Sequence, residues 1–256
     1  MPPSARRIPL VPELLWPAVA GAGAMARDVD QVELKVIVPV GHHVAMASVL
    51  GVDRLEAQIR RVYYLDTSDL ALSRRGLVVR ARKIRGGVDD LVVKLRRVVP
   101  VELPAKTRRS PNLTVEIDAL PGSSIWSASL RRSLKPSMVG AAVTGRRPLR
   151  TLFSTEQRAF YRAHADNGMD IDKLRVHGPV DVARAQVRTA GFGNKMIVES
   201  WVYPDGSRLL ELSAKCRPAR AERIAAEARS FLNERGVVLT DPQRTKTHVS
   251  LEYFTR

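Results

Sequence analysis

Charged residues recur at every second position in segments that otherwise read as strands. Residues 31–38 run QVELKVIV, with Gln31, Glu33 and Lys35 as the polar set. Residues 77–82 place Arg80 and Arg82 in step, and residues 90–96 do the same with Lys94 and Arg96. Successive side chains of a strand point to opposite faces, so each charged set is collinear. One such strand is an ordinary solvated sheet face. Several, with both signs of charge and apolar residues opposite, predict a charged site in a sheet or barrel that holds a polyanion and a metal.

The bulk composition limits the partners. A formal charge of +16 over 256 residues implies attraction to anions, whether nucleic acid, a phosphate-rich small molecule or an acidic membrane face. The single cysteine, Cys216, excludes an internal disulfide and any cysteine-rich zinc motif, and it fits a reducing, cytoplasmic setting. No apolar stretch is long enough to span a membrane. Residues 1–28 are rich in proline and small residues and read as a disordered leader, with Met25 as an alternative start. Residues 29–256 read as one domain.

Within that domain the patterns predict strands at 31–38, 58–65, 77–84, 90–98 and 112–120. Asp66-Thr67-Ser68-Asp69 signals a turn and helix cap before a short helix at 70–75, and Gly76 suits its end. A helix is expected near 42–50 and another over 123–139. Residues 149–162 read as a strand with Phe153, Phe160 and Tyr161 packing, and 169–176 as an alternating segment. Residues 196–212 form a hairpin around Pro204-Asp205-Gly206, and 218–235 a helix with Ile224, Ala228, Phe231 and Leu232 near one stripe.

Glu33-Leu34-Lys35, Tyr64-Leu65-Asp66-Thr67, Arg80-Ala81-Arg82, Lys94 and Glu116-Ile117-Asp118, in that order, resemble the CYTH superfamily, the triphosphate tunnel metalloenzymes. The resemblance spans roughly residues 30 to 254. It implies an α+β fold: an antiparallel, roughly eight-stranded tunnel with flanking helices. It also implies basic side chains that grip a triphosphate and acidic ones that hold Mg²⁺ or Mn²⁺. Carried over by position, Lys35, Arg80, Arg82, Lys94 and Arg96 fall to phosphate, with Arg158 or Arg162 adding charge. Glu33, Glu116 and Asp118 fall to metal, and Lys35 and Glu116 to the reaction itself. Asp170 and Asp172 are either part of the acidic set or a solvated strand start.

The late hairpin adds a geometric argument. A three-residue loop pairs Tyr203 with Ser207 and sets Glu199 opposite Glu211, with Lys215 further along the same face. Facing carboxylates repel unless a cation lies between them, which makes Glu199 and Glu211 a candidate metal pair. A four-residue loop would separate them. Two departures weaken the resemblance: Gln31 stands where the family has its first glutamate, and Ser213 where its late Glu-x-Glu has a second carboxylate.

Three functions compete. The first is a metal-dependent triphosphatase, or a class IV-type adenylyl cyclase. The second is a non-catalytic phosphate-chain or nucleotide sensor, favoured by Gln31 and Ser213. The third is a nucleic-acid binder, favoured by net charge alone. Aromatic residues make up only 5% and do not interleave with the arginines, which disfavours base stacking. Hydrolysis asks less of a site than cyclisation, which must also read a base. The expected partner is therefore a triphosphate or polyphosphate, and the sequence leaves the oligomeric state open, a homodimer included.

Overall fold

In the computed structural model, residues 29–53, 55–166, 168–239 and 242–256 are described. The proposed leader lies outside them. The strands are β1 (Gln31–Val38), β2 (Gln58–Asp66), β3 (Leu77–Ile84), β4 (Asp90–Arg96), β5 (Leu113–Leu120), β6 (Ser123–Ser133), β7 (Arg175–Thr189), β8 (Phe192–Val202) and β9 (Arg208–Cys216). They close into a barrel in the order β1-β5-β6-β4-β3-β2-β7-β8-β9. This is the expected tunnel architecture, with nine strands. One pair, β1 with β5, is parallel, and the other pairs are antiparallel.

Period-two alternation explains why the barrel is inside out relative to an ordinary one. Most of the charged residues of the strands point inward, beside a smaller apolar patch of Val62, Val78, Val182 and Trp201, while the main apolar sets point outward and need helices to cover them. Helix α6 (Ala221–Asn233) lays Ile224, Phe231 and Leu232 against Val32, Leu34 and Val36 of β1 and Leu212 of β9. On the far side, Leu65, Val79, Ala81, Leu91 and Leu130 are covered by Leu72, Val139, Phe160 and Tyr161. These come from α2 (Ala71–Arg74), α4 (Met138–Val143) and α5 (Thr155–His164). Two further helices, α1 (His43–Val49) and α3 (Ala105–Arg108), lie in connections. The last, α7 (Lys246–Tyr253), packs Leu251 among Val62, Tyr64, Trp201 and Tyr203. It thereby covers the end of the barrel where β4 and β8 finish. None of these helices is long and apolar enough to cross a membrane.

Three expectations need correction. Residues 123–139 are mostly strand β6, because Trp126, Ala128 and Leu130 alternate with Ser127 and Ser129, and small serines hide a period-two pattern. Residues 149–162 are a 3₁₀ turn followed by α5. Ser154 accepts from the Gln157 amide at 3.0 Å, and the Ser154 amide donates to the Gln157 side chain at 3.1 Å. This reciprocal cap is the S-x-x-Q signature of a helix start, and it fixes the segment as helix. Arg158 therefore sits on α5 outside the barrel, beside Thr155, and does not reach the tunnel. Finally, 169–176 is not one alternating strand. Asp170 caps a 3₁₀ turn at Ile171–Lys173, Asp172 pairs with Arg150, and β7 begins only at Arg175.

Asp66 shows how a family-like motif serves the fold. Its carboxylate accepts from the amides of Thr67 at 2.7 Å, Leu72 at 2.9 Å and Ser73 at 3.0 Å, and Thr67 Oγ1 accepts from the Ala71 amide at 2.7 Å. Together they tie α2 to the end of β2. Opposite β2, the register of β7 shifts between Val62 and Tyr64. There Gly178 has φ +142°, and a Cβ would lie 2.8 Å from the Val62 carbonyl oxygen, so only glycine fits.

Candidate active site in a polar tunnel

The barrel interior is a cavity of about 410 Å³. Each wall follows from register. Glu33 on β1 lies beside Asp118 on β5 and beside Lys215 on β9. Arg184 on β7 faces Glu199 on β8, which in turn faces Glu211 on β9. The three-residue turn that sets this last pair is the one the hairpin argument required, with the Tyr203 amide bonded to the Ser207 carbonyl at 2.9 Å.

Three ionic clusters fill the walls. In the first, Glu33, Glu116 and Asp118 alternate with lysines. Lys35 Nζ is 2.7 Å from Asp118 and 3.0 Å from Glu33. Lys94 Nζ is 2.7 Å from both Glu116 and Asp118. Lys215 Nζ lies 3.6 Å from Glu116 and 3.9 Å from Glu33. The two departures from the family pattern also sit here as neutral donors. Gln31 Nε2 donates to Glu116 at 2.9 Å, and Ser213 Oγ to Glu33 at 3.3 Å.

In the second cluster, Lys246 Nζ lies between Glu199 and Glu211, 2.7 Å from Glu211 and in contact with Glu199. The cation that the facing carboxylates demand is thus supplied by the N-terminus of α7. Arg184 and Arg60 approach Glu199 at 3.7 and 4.0 Å. In the third, buried Asp90 accepts two bonds of 2.7 Å from Arg82, and Arg131 reaches it at 2.7 Å.

Arg80 and Arg96 belong to none of these clusters. Arg96 donates to Thr245 Oγ1 at 2.9 Å. Arg80 faces the cavity without a hydrogen bond or ion pair among the described residues, and its Nε is buried and unpartnered. Among the described residues, ten cations (Lys35, Arg60, Arg80, Arg82, Lys94, Arg96, Arg131, Arg184, Lys215, Lys246) surround six carboxylates (Glu33, Asp90, Glu116, Asp118, Glu199, Glu211). The excess is positive. Burial and the neighbouring Arg82 and Arg184 push Arg60 down to about 10, which leaves it charged at neutral pH. Arg60, Arg131, Arg184 and Lys215 gather at the end opposite α7, where β1, β2 and β4 begin and where Arg131 and Lys215 reach solvent.

Five of these six acids are held ionised despite burial. Burial opposes charge on Glu116, but Lys94 outweighs it and holds the carboxyl down to about 2. Lys35 and Lys94 likewise hold Asp118 well below the usual carboxylate range against its burial. Glu199 and Glu211 divide unequally. Lys246, Arg80 and Arg60 overcome burial and hold Glu199 low, whereas burial and the Glu199 charge push Glu211 up. A carboxylate depressed in the folded state stabilises the fold above its unfolded value and loses that contribution as pH falls. Stability should therefore decline between about pH 4.5 and pH 2 as Glu116 is protonated. A thermal midpoint that stays flat across this window would show that the lysine contacts do not form.

Glu33, Glu116 and Asp118 each offer one oxygen within 4.8 Å of the others. Buried hard-oxygen donors so arranged can hold a divalent metal ion. Of the residues predicted for the site, Lys35, Arg80, Arg82, Lys94, Arg96, Glu33, Glu116, Asp118, Glu199 and Glu211 converge inside the barrel, and Arg158 does not. Sequence reasoning missed Arg60, Asp90, Arg131, Arg184 and Lys246. Arg60 lies on the strand expected at 58–65, whereas Lys246 begins a helix and offers no strand periodicity.

The barrel closely follows two solved structures. One is a candidate adenylate cyclase from Bacillus halodurans: TM-score 0.60, 14% identity, covering 86% of this chain and 96% of that one. The other is a candidate adenylyl cyclase from Hippeastrum described as having a dominant triphosphatase activity: TM-score 0.62, 15% identity, covering 87% and 96%. The chain has the CYTH-type tunnel fold. No family model and no curated protein matches it. In this CYTH-type tunnel, the charged interior is the surface shared by all nine strands, so the site and the fold rest on the same residues.

Proposed function

We propose that this chain is a metal-dependent hydrolase of a triphosphate-containing substrate, either inorganic tripolyphosphate or a nucleoside or thiamine triphosphate. One observation carries the reading: Arg80, its buried Nε unpartnered among the described residues, faces a cavity whose cations outnumber its carboxylates. The open donors of Arg80 point into the cavity, and a phosphate chain would satisfy them in the geometry they favour. The basic mouth at Arg131, Arg184 and Lys215 would draw the anion in, and α7 would stop it at the far end.

Mg²⁺ or Mn²⁺ at Glu33, Glu116 and Asp118 would supply charge neutralisation on phosphoryl oxygens and an acidified water. Glu116, an acid held ionised by Lys94, suits metal ligation. Lys35 and Lys94 would neutralise the charge on the transferring phosphoryl group. The triphosphatase activity described for the Hippeastrum protein agrees with hydrolysis.

A second reading rests on Gln31 and Ser213. Each places a neutral donor against a remaining acid, which suits a protein that binds phosphate chains without turning them over. Phosphate release from tripolyphosphate, ATP and thiamine triphosphate, with Mg²⁺, Mn²⁺ or EDTA, separates the two. Hydrolysis requires metal-dependent release from at least one of them. Thermal stabilisation by tripolyphosphate with no release would leave the binding reading standing. On the hydrolase reading, Glu116→Gln should cut metal-dependent turnover at least about tenfold. Unchanged turnover would remove Glu116 from the metal set.

A further inference from the structure

We propose that Lys35, Lys94 and Lys215 occupy, in the ligand-free protein, the carboxylate oxygens that a divalent cation needs, and that a bound triphosphate admits the cation by drawing these ammonium groups onto its own oxygens. The inference rests on the triphosphate reading above.

The acidic trio is already neutralised. Glu33, Glu116 and Asp118 each have a lysine within ion-pair distance, and Asp118 is bound on both oxygens, by Lys35 on one and Lys94 on the other, at 2.7 Å. The remaining Glu116 oxygen accepts from Gln31 at 2.9 Å. A divalent cation approaching this cluster meets three ammonium charges and finds its best donor atoms in use. Like charges at contact distance in a buried site repel strongly, so the ammonium groups must leave before the cation enters.

Lysine can leave. Its charge sits on a flexible four-carbon stem, unlike the fixed fork of arginine. All three lysines face the same cavity as Arg80. A phosphate chain seated against Arg80 offers anionic acceptors that compete with the carboxylates for those ammonium groups. Each lysine that turns to phosphate frees a carboxylate oxygen. Anion and cation would then favour each other's binding by the same factor. Direct metal–phosphate bonds would contribute to that coupling as well, so the lysine step must be tested where no phosphate is present.

The test is Mn²⁺ titration followed by the paramagnetic resonance of free Mn²⁺, with and without a methylene-bridged triphosphate analogue that cannot be hydrolysed. The wild-type protein should bind Mn²⁺ weakly alone and at least about tenfold more tightly with the analogue, within the usual range of coupling. Lys94→Met should bind Mn²⁺ alone at least about tenfold more tightly than wild type and gain less from the analogue. Lys215→Met, at a side chain that is 42% exposed and holds its carboxylates only at 3.6 and 3.9 Å, should shift in the same direction by less. Wild-type Mn²⁺ affinity that is the same with and without the analogue overturns the inference. So does Mn²⁺ affinity in both variants no higher than wild type, even when the analogue binds in EDTA. Failure of the analogue to bind in EDTA overturns the triphosphate reading and this inference with it.

Discussion

Arg80→Ala is expected to lower kcat/KM for the triphosphate substrate by about 10²–10³, equivalent to about 2.7–4 kcal/mol of transition-state stabilisation. Its thermal midpoint should stay close to that of wild type. The two halves of this result follow from one fact. Arg80 is half-buried in the tunnel wall, its Nε fully so, with no ion pair or hydrogen bond among the described residues. Burial opposes its charge, and Glu199 and Asp90 favour that charge without pairing with it, so its donors stay open for an anion. A residue serving the fold behaves the other way round, losing stability first and activity as a consequence. Arg61→Ala is the matched control. Arg61 sits next to Arg60 but points outward, with its side chain 58% exposed and paired to Asp181, and it should change neither quantity. A large drop in stability for Arg80→Ala, with triphosphate binding retained, would reverse the assignment.

The largest effect on stability is expected at Lys246. Glu199 and Glu211 face each other across the β8–β9 ladder, and both are buried. Lys246 Nζ is the ammonium between them, and it also lies 5.4 Å from the Trp201 ring centroid. Lys246→Met should destabilise the protein by about 3–5 kcal/mol, because removing one partner leaves buried charge uncompensated. In a chain of this size that corresponds to roughly 10 °C in thermal midpoint. The defect should depend on pH in a defined direction. Burial and Glu199 already push Glu211 up, and without Lys246 it rises further. An acid whose folded value lies above its unfolded one binds protons on folding, so the loss is greatest at high pH and shrinks as pH falls. Adding Glu211→Gln to Lys246→Met should recover much of the stability, since only one carboxylate then remains. Full stability in Lys246→Met alone would mean that α7 does not insert its lysine between the pair.

The two effects separate because the tunnel holds two kinds of cation. Lys246, Lys35, Lys94 and Arg82 are bound to carboxylates that need them. Arg80 is not. The polar interior is therefore tolerable as a folded state, most of its charges being matched internally, and yet it keeps a surplus for a ligand. A fully matched interior would be stable and inert, and an unmatched one would not fold.

Much of this was readable from alternation. Glu33 with Lys35, Arg80 with Arg82, Lys94 with Arg96 and Glu116 with Asp118 share strand parity, and each pair does point into the tunnel, because side-chain direction in a strand is fixed by odd and even position. The Glu199–Glu211 pairing followed from the length of one turn. What alternation could not give was the identity of the group between them. Lys246 arrives from the start of a helix at the far end of the sequence, and no local pattern records that approach. β7 was missed because Gly178 and Pro179 interrupt it and its arginines and alanines lack a clear apolar set. β6 was read as helix because its inward residues are serines, and α5 as strand because its apolar residues drew attention from the Ser154–Gln157 cap. That last error carried Arg158 into the proposed site. In each case the deciding signal was a cap, a turn or a small residue rather than hydrophobic period.

The central claim is that the surplus charge of the tunnel receives a phosphate chain, and a crystal structure with the methylene-bridged triphosphate analogue tests it most directly. The account predicts the chain inside the barrel, with phosphoryl oxygens on Arg80 and with Lys94 turned from Glu116 toward the ligand. An analogue found only on the outer surface, with Arg80 still unpaired and the lysine–carboxylate contacts unchanged, would contradict it.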